Sequence, residues 1–277
     1  MRIVRWLIVA VITAAALTAT GVALGVGPWP GLASAVVSPN GHVAYAASRS
    51  ATSTIVRART LGTGAHVLAT ATFDGHWGIP AVTSTGRAGG LSPDGRLLVL
   101  SEPSSYTGLR SQSKFLLLST RTLKLRDTIT LNGEFGFDVL SGDGRTLYVI
   151  QHQSAEDLVS YVVRGYDLAT KQLLKGAIVA KGESASMRGY PVSRAVGRGG
   201  TWVYTLYHRG SGKPFIHALN ADQRYAICID LPWQATSQTI WTARLALSPN
   251  GRRLLVRSNG KVVARVDTKT FRVLKGA

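Results

Sequence analysis

The chain has 277 residues, a formal net charge of +18 and a single cysteine, Cys228. A chain of this length buries a sizeable core without covalent staples, and one cysteine excludes an internal disulfide. The basic residues are scattered and never form a run of five, so the charge favours anionic partners but predicts no nucleic-acid partner.

Residues 1–30 are predicted to be a signal peptide or a transmembrane anchor followed by a Pro/Gly linker. Two arginines precede an uncharged stretch, residues 6–26, which would reach about 31 Å as a helix, enough to cross a bilayer core. Positive charge before such a span predicts that the rest of the chain lies outside the cytoplasmic membrane. Candidate cleavage sites at residues 14–16 and 33–35 leave two outcomes open, a secreted protein or one anchored through the uncleaved stretch 6–26.

A turn pattern recurs five times in the rest of the chain. Its full form is Ser-Pro-Asp/Asn-Gly and begins at Ser38, Ser92 and Ser248, between a small or apolar strand and an apolar strand. Proline presets the first corner of a turn, and Asn-Gly or Asp-Gly accepts the positive φ that a tight hairpin requires. A Ser-Gly-Asp-Gly version begins at Ser141, and a degenerate copy begins at Gly197. Each copy therefore predicts a strand, a turn and a second strand.

A second hairpin pattern follows about 20 residues after each turn, with Asp-Thr or Asp-Leu-Ala-Thr turns such as those at Asp167 and Asp267. Two hairpins make a four-stranded antiparallel sheet, and a repeat of roughly 50 residues fits one propeller blade. The predicted fold of residues 31–277 is therefore an all-β β-propeller of about five four-stranded blades, preceded by one N-terminal apolar helix. Six or seven blades are the alternative, with a degenerate blade in residues 71–90 or 180–195.

Two copies of the turn carry a resemblance to a known repeat family. Ser-Pro-Asp-Gly-Arg-Leu-Leu-Val (92–99) and Ser-Gly-Asp-Gly-Arg-Thr-Leu-Tyr-Val (141–149), paired with the Asp-Thr turns, resemble YVTN-type β-propellers, a style that lactonase-like propellers share. The resemblance covers roughly residues 33–277 and implies the fold. It implies no activity, because these motifs are turn chemistry and the fold hosts unrelated functions. No lactonase catalytic position can be matched residue by residue.

Long irregular connections are predicted on the face opposite the Ser-Pro-Asp-Gly turns, where binding residues usually lie. They span residues 71–90, 151–160, 180–195, 207–214 and 232–243. Aromatic side chains with converging arginines would suit a carboxylate, phosphate or sugar ligand. The alternative is that the tryptophans cap blades and the arginines are solvated. The ligand-binding candidates are Trp77, Arg87, Arg188, Tyr190, Arg194, Trp233, Trp241 and Arg244.

Three residues are weak catalytic candidates. His152 and His208 end equivalent second strands of two successive repeats, and Glu102 is a carboxylate that could join them in acid–base work. The alternative is a chance pair of polar strand ends, and no metal site or cofactor is predicted.

The sequence predicts an extracytoplasmic binding or scaffold propeller that presents a loop face to a protein or to an anionic wall or small-molecule ligand. The alternative is a lactonase-like hydrolase that uses the central channel.

Overall fold

The structure, a computed structural model, describes residues 31–104, 108–180, 186–210 and 212–275. Apart from a 3-10 turn at Arg198–Gly200 and one five-residue helix, the regular secondary structure of these residues is β-strand, as the sequence predicts. The apolar segment 6–26 lies outside the described residues. Within the described ranges, no helix has the length and apolar character needed to cross a membrane.

Five antiparallel sheets follow one another along the chain, each built from one continuous stretch of sequence. The chain enters through β1 (Leu32–Ala33). Sheet 1 contains β2 (Ala35–Val37), β3 (Val43–Arg49), β4 (Ser53–Thr60) and β5 (Val67–Asp74). A two-residue strand, β6 (Ile79–Pro80), then pairs with β1. Sheet 2 contains β7 (Leu97–Ser101), β8 (Gln112–Ser119) and β9 (Leu125–Asn132).

In the remaining three sheets the strands again pair in chain order, except that β14 pairs with β12. Sheet 3 contains β10 (Glu134–Leu140), β11 (Thr146–His152), β12 (Ser160–Asp167), β13 (Gln172–Leu173) and β14 (Met187–Arg188), the last two both paired with β12. Sheet 4 contains β15 (Tyr190–Val196), β16 (Trp202–His208), β17 (Phe215–Asn220) and β18 (Tyr225–Asp230). A short helix, α1 (Ser237–Trp241), leads to sheet 5 with β19 (Arg244–Leu247), β20 (Arg253–Ser258) and β21 (Lys261–Asp267).

The recurring turn joins the first two strands of sheets 1, 3 and 5 and precedes β7 in sheet 2, and these four turns share one hydrogen-bond pattern. The Ser92 hydroxyl donates to Oδ1 of Asp94 over 2.6 Å and accepts the backbone N–H of Leu97 over 2.9 Å. The same Asp94 oxygen accepts the backbone N–H of Arg96 over 3.0 Å. Because both side chains satisfy backbone donors in a tight turn, the serine and the Asp or Asn two residues later are required together. The same three bonds recur in the turns that begin at Ser38, Ser141 and Ser248.

The strand β15 begins at Tyr190 and so covers the end of the stretch 180–195, which is predicted to be an irregular connection. Pro191 argues against a strand there, because proline cannot donate to a sheet ladder. The residue is tolerated because β15 is the innermost edge strand of sheet 4 and because the pairing of β15 with β16 has an irregular register between Pro191 and Ser193.

Four hydrophobic clusters connect the five sheets, one between each pair of sheets that are neighbours in sequence. Tyr45 and Leu116 belong to the cluster between sheets 1 and 2, and Phe115 and Val149 to the cluster between sheets 2 and 3. The cluster between sheets 3 and 4 is rich in tyrosine, and the fourth cluster joins sheets 4 and 5. Among the described residues, no such cluster joins sheet 5 to sheet 1.

Candidate functional site

A cavity of about 360 Å³ lies where β2, β10 and β15 approach the segment that precedes β7. Its wall contains Val36 from β2, Phe137 from β10 and Val196 from β15, and most other lining groups are apolar side chains or glycines. The turns that begin at Ser38, Ser92 and Gly197 also contribute to the wall. The ionisable groups that line it are Arg87, Asp138 and Arg194.

Arg194 is committed to the protein's own structure. Only 4 % of its side-chain surface is exposed, and its Nη2 donates to the carboxylate of Asp138 on the neighbouring sheet. Its Nη1 donates to the backbone oxygen of Asp138 over 2.7 Å, and its Nε donates to Oγ1 of Thr205 over 3.0 Å. The ion pair therefore connects sheet 3 to sheet 4. Buried charges are tolerated only when they are paired and hydrogen-bonded, and both conditions are met here. Sequence reasoning identifies Arg194 but misses Asp138, whose signal is an acid inside the apolar run Phe-Gly-Phe-Asp-Val-Leu.

A hairpin loop, residues 81–88, carries Arg87 and reaches from the chain before sheet 2 to sheet 4. Ala81 bridges to Ala88 at its base, and at its tip Ser84 donates its backbone N–H to the oxygen of Pro191 over 2.7 Å. The Oγ1 of Thr85 donates to the oxygen of Val192 over 3.0 Å. Both acceptors are backbone carbonyls of β15, so the two bonds fasten the loop to sheet 4.

Arg87 lines the cavity without a carboxylate to neutralise it. No ion pair or side-chain hydrogen bond involves its guanidinium within the described ranges of the chain, and Asp138 is already bound by Arg194. The pKa of Arg87 is lowered, first because partial burial removes water from the guanidinium and second because the Arg194 charge is close. With two arginines and one aspartate, the ionisable lining groups carry a net charge of +1. The cavity can therefore accept an anion.

The degenerate turn of sheet 4 closes one side of this cavity. Gly200 has φ of +80°, and a Cβ at this position would collide with the ring of Pro93 from the turn of sheet 2. The residue must therefore be glycine, both for its backbone conformation and for this contact. Gly200 is the equivalent of Gly95 in the turn of sheet 2, because its N–H donates to the oxygen of Gly197 as that of Gly95 donates to the oxygen of Ser92.

Two of the predicted aromatic residues have structural roles. Trp77 is buried in the cluster between sheets 1 and 2, and its Nε1 donates to the backbone oxygen of Asp74 over 2.6 Å. Its backbone N–H donates to Oγ1 of Thr54 over 2.8 Å, which ties the chain after β5 to the start of β4. Trp233 packs half-buried against the cluster between sheets 4 and 5.

The other two predicted aromatic residues meet at a separate place. Trp241, at the end of α1, contacts Tyr190 and His208 edge-on, with ring centroids 6.2 and 5.9 Å away. Arg244 binds backbone oxygens beside them, donating from Nη1 to Ala243 over 2.8 Å. Arg188 pairs with the carboxylate of Asp157 at the surface. The ligand-binding candidates thus fall into several groups, and only Arg87 and Arg194 line the central cavity.

The three catalytic candidates have different neighbours. Glu102 and His152 line a small cavity of about 30 Å³, whereas His208 packs against Tyr190 and Trp241. Burial lowers the pKa of His152 to about 3 and also lowers the pKa of His208, so both rings are neutral at pH 7. In the parts of the chain that the structure covers, no three His, Cys, Asp or Glu residues are grouped to hold a metal ion.

Beside the small cavity lies a pair that sequence reasoning misses. Arg110 donates from Nη2 to Oε1 of Glu134 over 2.6 Å and from Nε to Oε2 over 2.8 Å. Glu134 is buried and lies opposite His152 in the sheet register. This two-point contact ties the loop before β8 to the start of sheet 3. The sequence gives no signal for it, because the partners are 24 residues apart in unrelated motifs.

Comparisons with known proteins were made for the sequence and for the fold. No protein family matches the sequence, and no curated protein is similar enough to count as a relative. Among solved structures, the chain is similar to the β-propeller domain of Cps50 (Swd1) from Myceliophteria thermophila. The TM-score is 0.50 at 13 % identity, over 90 % of this chain and 69 % of that one. The fold is a β-propeller.

Two bacterial propeller structures are similar at lower scores. A TolB protein from Agrobacterium tumefaciens has a TM-score of 0.47 at 17 % identity, over 90 % of this chain and 80 % of that one. TolB from Acinetobacter baumannii has a TM-score of 0.44 at 14 % identity, over 88 % of this chain and 53 % of that one. Similarity at these identities concerns the fold alone, so the function of this propeller has to be argued from its own residues.

Proposed function

We propose that this β-propeller is a non-enzymatic binding protein whose central cavity takes a small organic anion. The observation that carries the proposal is the guanidinium of Arg87, which lines the cavity without a carboxylate partner. Arg87 is exposed to solvent within a mostly apolar lining, and its guanidinium can donate bidentate hydrogen bonds to the carboxylate or phosphate of a ligand. The volume of about 360 Å³ suits a ligand of sugar-acid size rather than a bare inorganic ion.

In this proposal the five sheets are the five blades, and the propeller acts outside the cytoplasm. The support is the spacing of the turns and the uncharged segment 6–26, which either is cleaved or anchors the domain to the cytoplasmic membrane. The long-loop face, with Tyr190, His208 and Trp241, is left as a contact surface for a protein partner.

Isothermal titration calorimetry with glucuronate and glucose 6-phosphate, and with glucose as their neutral counterpart, tests the cavity. We expect the anions to bind and glucose not to bind. Arg87→Gln should weaken binding by about tenfold or more, because it removes the charged donor. Arg121→Gln is the matched control, since this exposed arginine lies outside the cavity lining and should bind like the wild type. Equal affinity in the Arg87→Gln variant would refute the proposal.

The hydrolase alternative has weaker support. Glu102 and His152 share a cavity of about 30 Å³, which has room for roughly one water molecule, and His208 has different neighbours. A nucleophile–base arrangement needs its groups within hydrogen-bond reach of one reacting atom.

A further inference from the structure

Among the residues that the structure describes, the two terminal sheets each have one face without a packed neighbouring sheet. On β4, Val56 and Ala58 are buried in the cluster with sheet 2, whereas Arg57 and Arg59 between and beside them are exposed. On β20, Leu254 and Val256 are buried against sheet 4, whereas Arg253 and Arg257 are exposed. Because successive strand residues point to opposite faces, these arginines mark the outer faces of sheets 1 and 5.

The central sheets are different. On β11 of sheet 3, residues on both faces are buried, including Leu147, Tyr148, Val149 and Ile150 in succession. A propeller blade buries both faces in this way because it has a neighbour on each side. The alternation on β4 and β20 therefore identifies two faces without a packed neighbour among the described residues. We name them the outer face of sheet 1 and the outer face of sheet 5.

Both outer faces combine positive charge with small or apolar side chains. Opposite Arg57 and Arg59 in the register lie Ala46 and Ala44, and Ile55 is half-buried on the same face. The outer face of sheet 5 holds Arg244 opposite Arg257, with Ala246 opposite the half-buried Leu255 between them. Arg57, Arg59, Arg253 and Arg257 form no ion pair with a carboxylate in the described part of the chain.

One acidic residue, Asp267, lies beside this charge, and its pKa is lowered first by the hydrogen bonds of its own turn and then by Arg253. Asp267 lies opposite Arg253, but its Oδ1 accepts the backbone N–H groups of Thr270 and Lys269 over 2.8 and 3.0 Å. A second copy of the chain would bring the same arginines and a net charge of +18, so self-association through these faces is disfavoured. The charge favours a partner of opposite sign.

We propose that the outer faces of sheets 1 and 5 dock an acidic protein surface. The partner's surface alternates carboxylates with apolar side chains, so that Asp or Glu meets the arginines and the apolar groups cover Ile55 and Leu255. A flexible polyanion without apolar groups would leave those two side chains in water, which is why the proposal commits to a protein. This surface is separate from the central cavity, and either assignment can fail without the other.

The test uses the full-length protein and a fluorescent peptide of alternating Glu and Val, measured by anisotropy at physiological salt. One variant combines Arg57→Gln with Arg59→Gln, and a second combines Arg253→Gln with Arg257→Gln. The matched control combines Arg121→Gln with Arg126→Gln, which removes the same charge from exposed positions near the outer edge of sheet 2. We expect each test variant to weaken binding by about tenfold and the control to change it less than twofold.

Two further measurements decide between occupants. A Lys–Val peptide should not bind, and inorganic polyphosphate should not compete with the Glu–Val peptide at equal charge. Hydroxyl-radical footprinting should find Ile55 and Leu255 reactive in the protein alone and protected with the peptide. Equal losses in test and control variants, competition by polyphosphate, or protection of Ile55 and Leu255 before peptide is added would each overturn the proposal, the last because the chain itself would then cover the faces.

Discussion

At the residue scale, polar groups buried between sheets 3 and 4 determine how the protein responds to mutation and to pH. Arg194 donates a charge-assisted hydrogen bond to Asp138 across the boundary between the two sheets, and Thr205 accepts a further bond from the same guanidinium. His217 lies opposite Thr205 in the register and is also buried. A buried polar group that loses its partner has neither water nor protein to bond with, so substituting the partner should lower the free energy of unfolding strongly.

Replacing Asp138 with leucine should destabilise the protein strongly. Asp138→Leu leaves the Arg194 charge buried without its carboxylate, and we expect a loss of about 3 to 5 kcal/mol in the free energy of unfolding by urea titration. Asp138→Leu combined with Arg194→Met should lose less than the single variant, because no charge then remains buried. Asp157→Leu is the exposed control; it removes the partner of Arg188 at the surface and should cost at most about 1 kcal/mol.

The protein should lose stability in mild acid through His217. Burial lowers its pKa to about 4, against about 6.5 in an unfolded chain, so the unfolded state takes up the proton first as the pH falls. The stabilisation is complete above about pH 6.5 and is lost as the pH falls towards 4. His217→Phe should therefore reduce the loss between about pH 7.5 and pH 5 by about 2 kcal/mol in urea titrations. Equal pH dependence in both proteins would contradict this, and the loss that remains in the variant should include His152, whose pKa is also lowered.

At the element scale, the repeated turn controls how each sheet begins. One serine hydroxyl and one Asp or Asn oxygen satisfy the turn's backbone donors, and the geometry is the same in sheets with different burial. A second repeated feature is the turn that follows β8, β12, β17 and β21. In each of these turns the residue four positions after the end of the strand has a left-handed backbone. Leu123, Lys171, Arg224 and Phe271 all occupy this position, with φ between 54° and 62°.

The cost of losing the turn serine should depend on its burial. Ser141→Ala removes a buried acceptor for the backbone N–H of Thr146, and we expect a loss of about 1 to 3 kcal/mol. Ser248→Ala removes the same bond to Arg253 in a turn that is open to water, and should cost less than half as much. Urea unfolding of the two variants measures the difference, and equal costs would mean that the turn acts through conformation alone.

Replacing Arg224 with glycine should stabilise the protein. Its φ of 62° costs a non-glycine residue about 1 kcal/mol, which glycine avoids. The lost contact with Asp167 is long, 3.8 Å, and exposed, so its removal matters little. Arg224→Ala is the control, because alanine keeps the backbone penalty and should give no gain in melting temperature. A similar melting temperature for the glycine and alanine variants would refute the explanation.

The elements could be predicted well because their chemistry is local. The Ser-Pro-Asp-Gly and Asp-Thr turns satisfy their own backbone groups, so the residues that specify them lie within a few positions of one another. The contacts of the candidate site could not be predicted in this way. Asp138 and Arg194 are 56 residues apart, and the loop that carries Arg87 binds a strand more than 100 residues later. Neither pairing has a sequence signature, because each depends on how separate sheets are placed.

At the scale of the whole molecule, the described part of the chain has five large sheets and four hydrophobic clusters between them, so within it each terminal sheet packs against one neighbour. Local stability follows the number of packed neighbours, because opening a sheet with one neighbour exposes less apolar surface. The central cavity lies among sheets 1 to 4, and the hairpin loop 81–88 further connects the start of sheet 2 with sheet 4.

Native-state hydrogen exchange should therefore be slower in sheet 3 than in the terminal sheets 1 and 5. We expect the amides of β11 to exchange at least about tenfold more slowly than those of β4 and β20, which lie in the terminal sheets. Comparable protection in all three strands would mean that sheets 1 and 5 are covered as fully as sheet 3. Adding the Glu–Val peptide should slow exchange in β4 and β20 and leave β11 unchanged.

The contiguity of the sheets has a consequence for biogenesis. Each sheet from β2 to β21 is completed by its own stretch of chain, and within the described residues none borrows a strand from the other end of the sequence. Antiparallel hairpins need only short loop closures, so their contacts form early and quickly. Each sheet can thus assemble as its residues emerge during synthesis and pack on the sheet made before it. Among the residues that the structure describes, none of these five sheets has to wait for a strand from a later sheet.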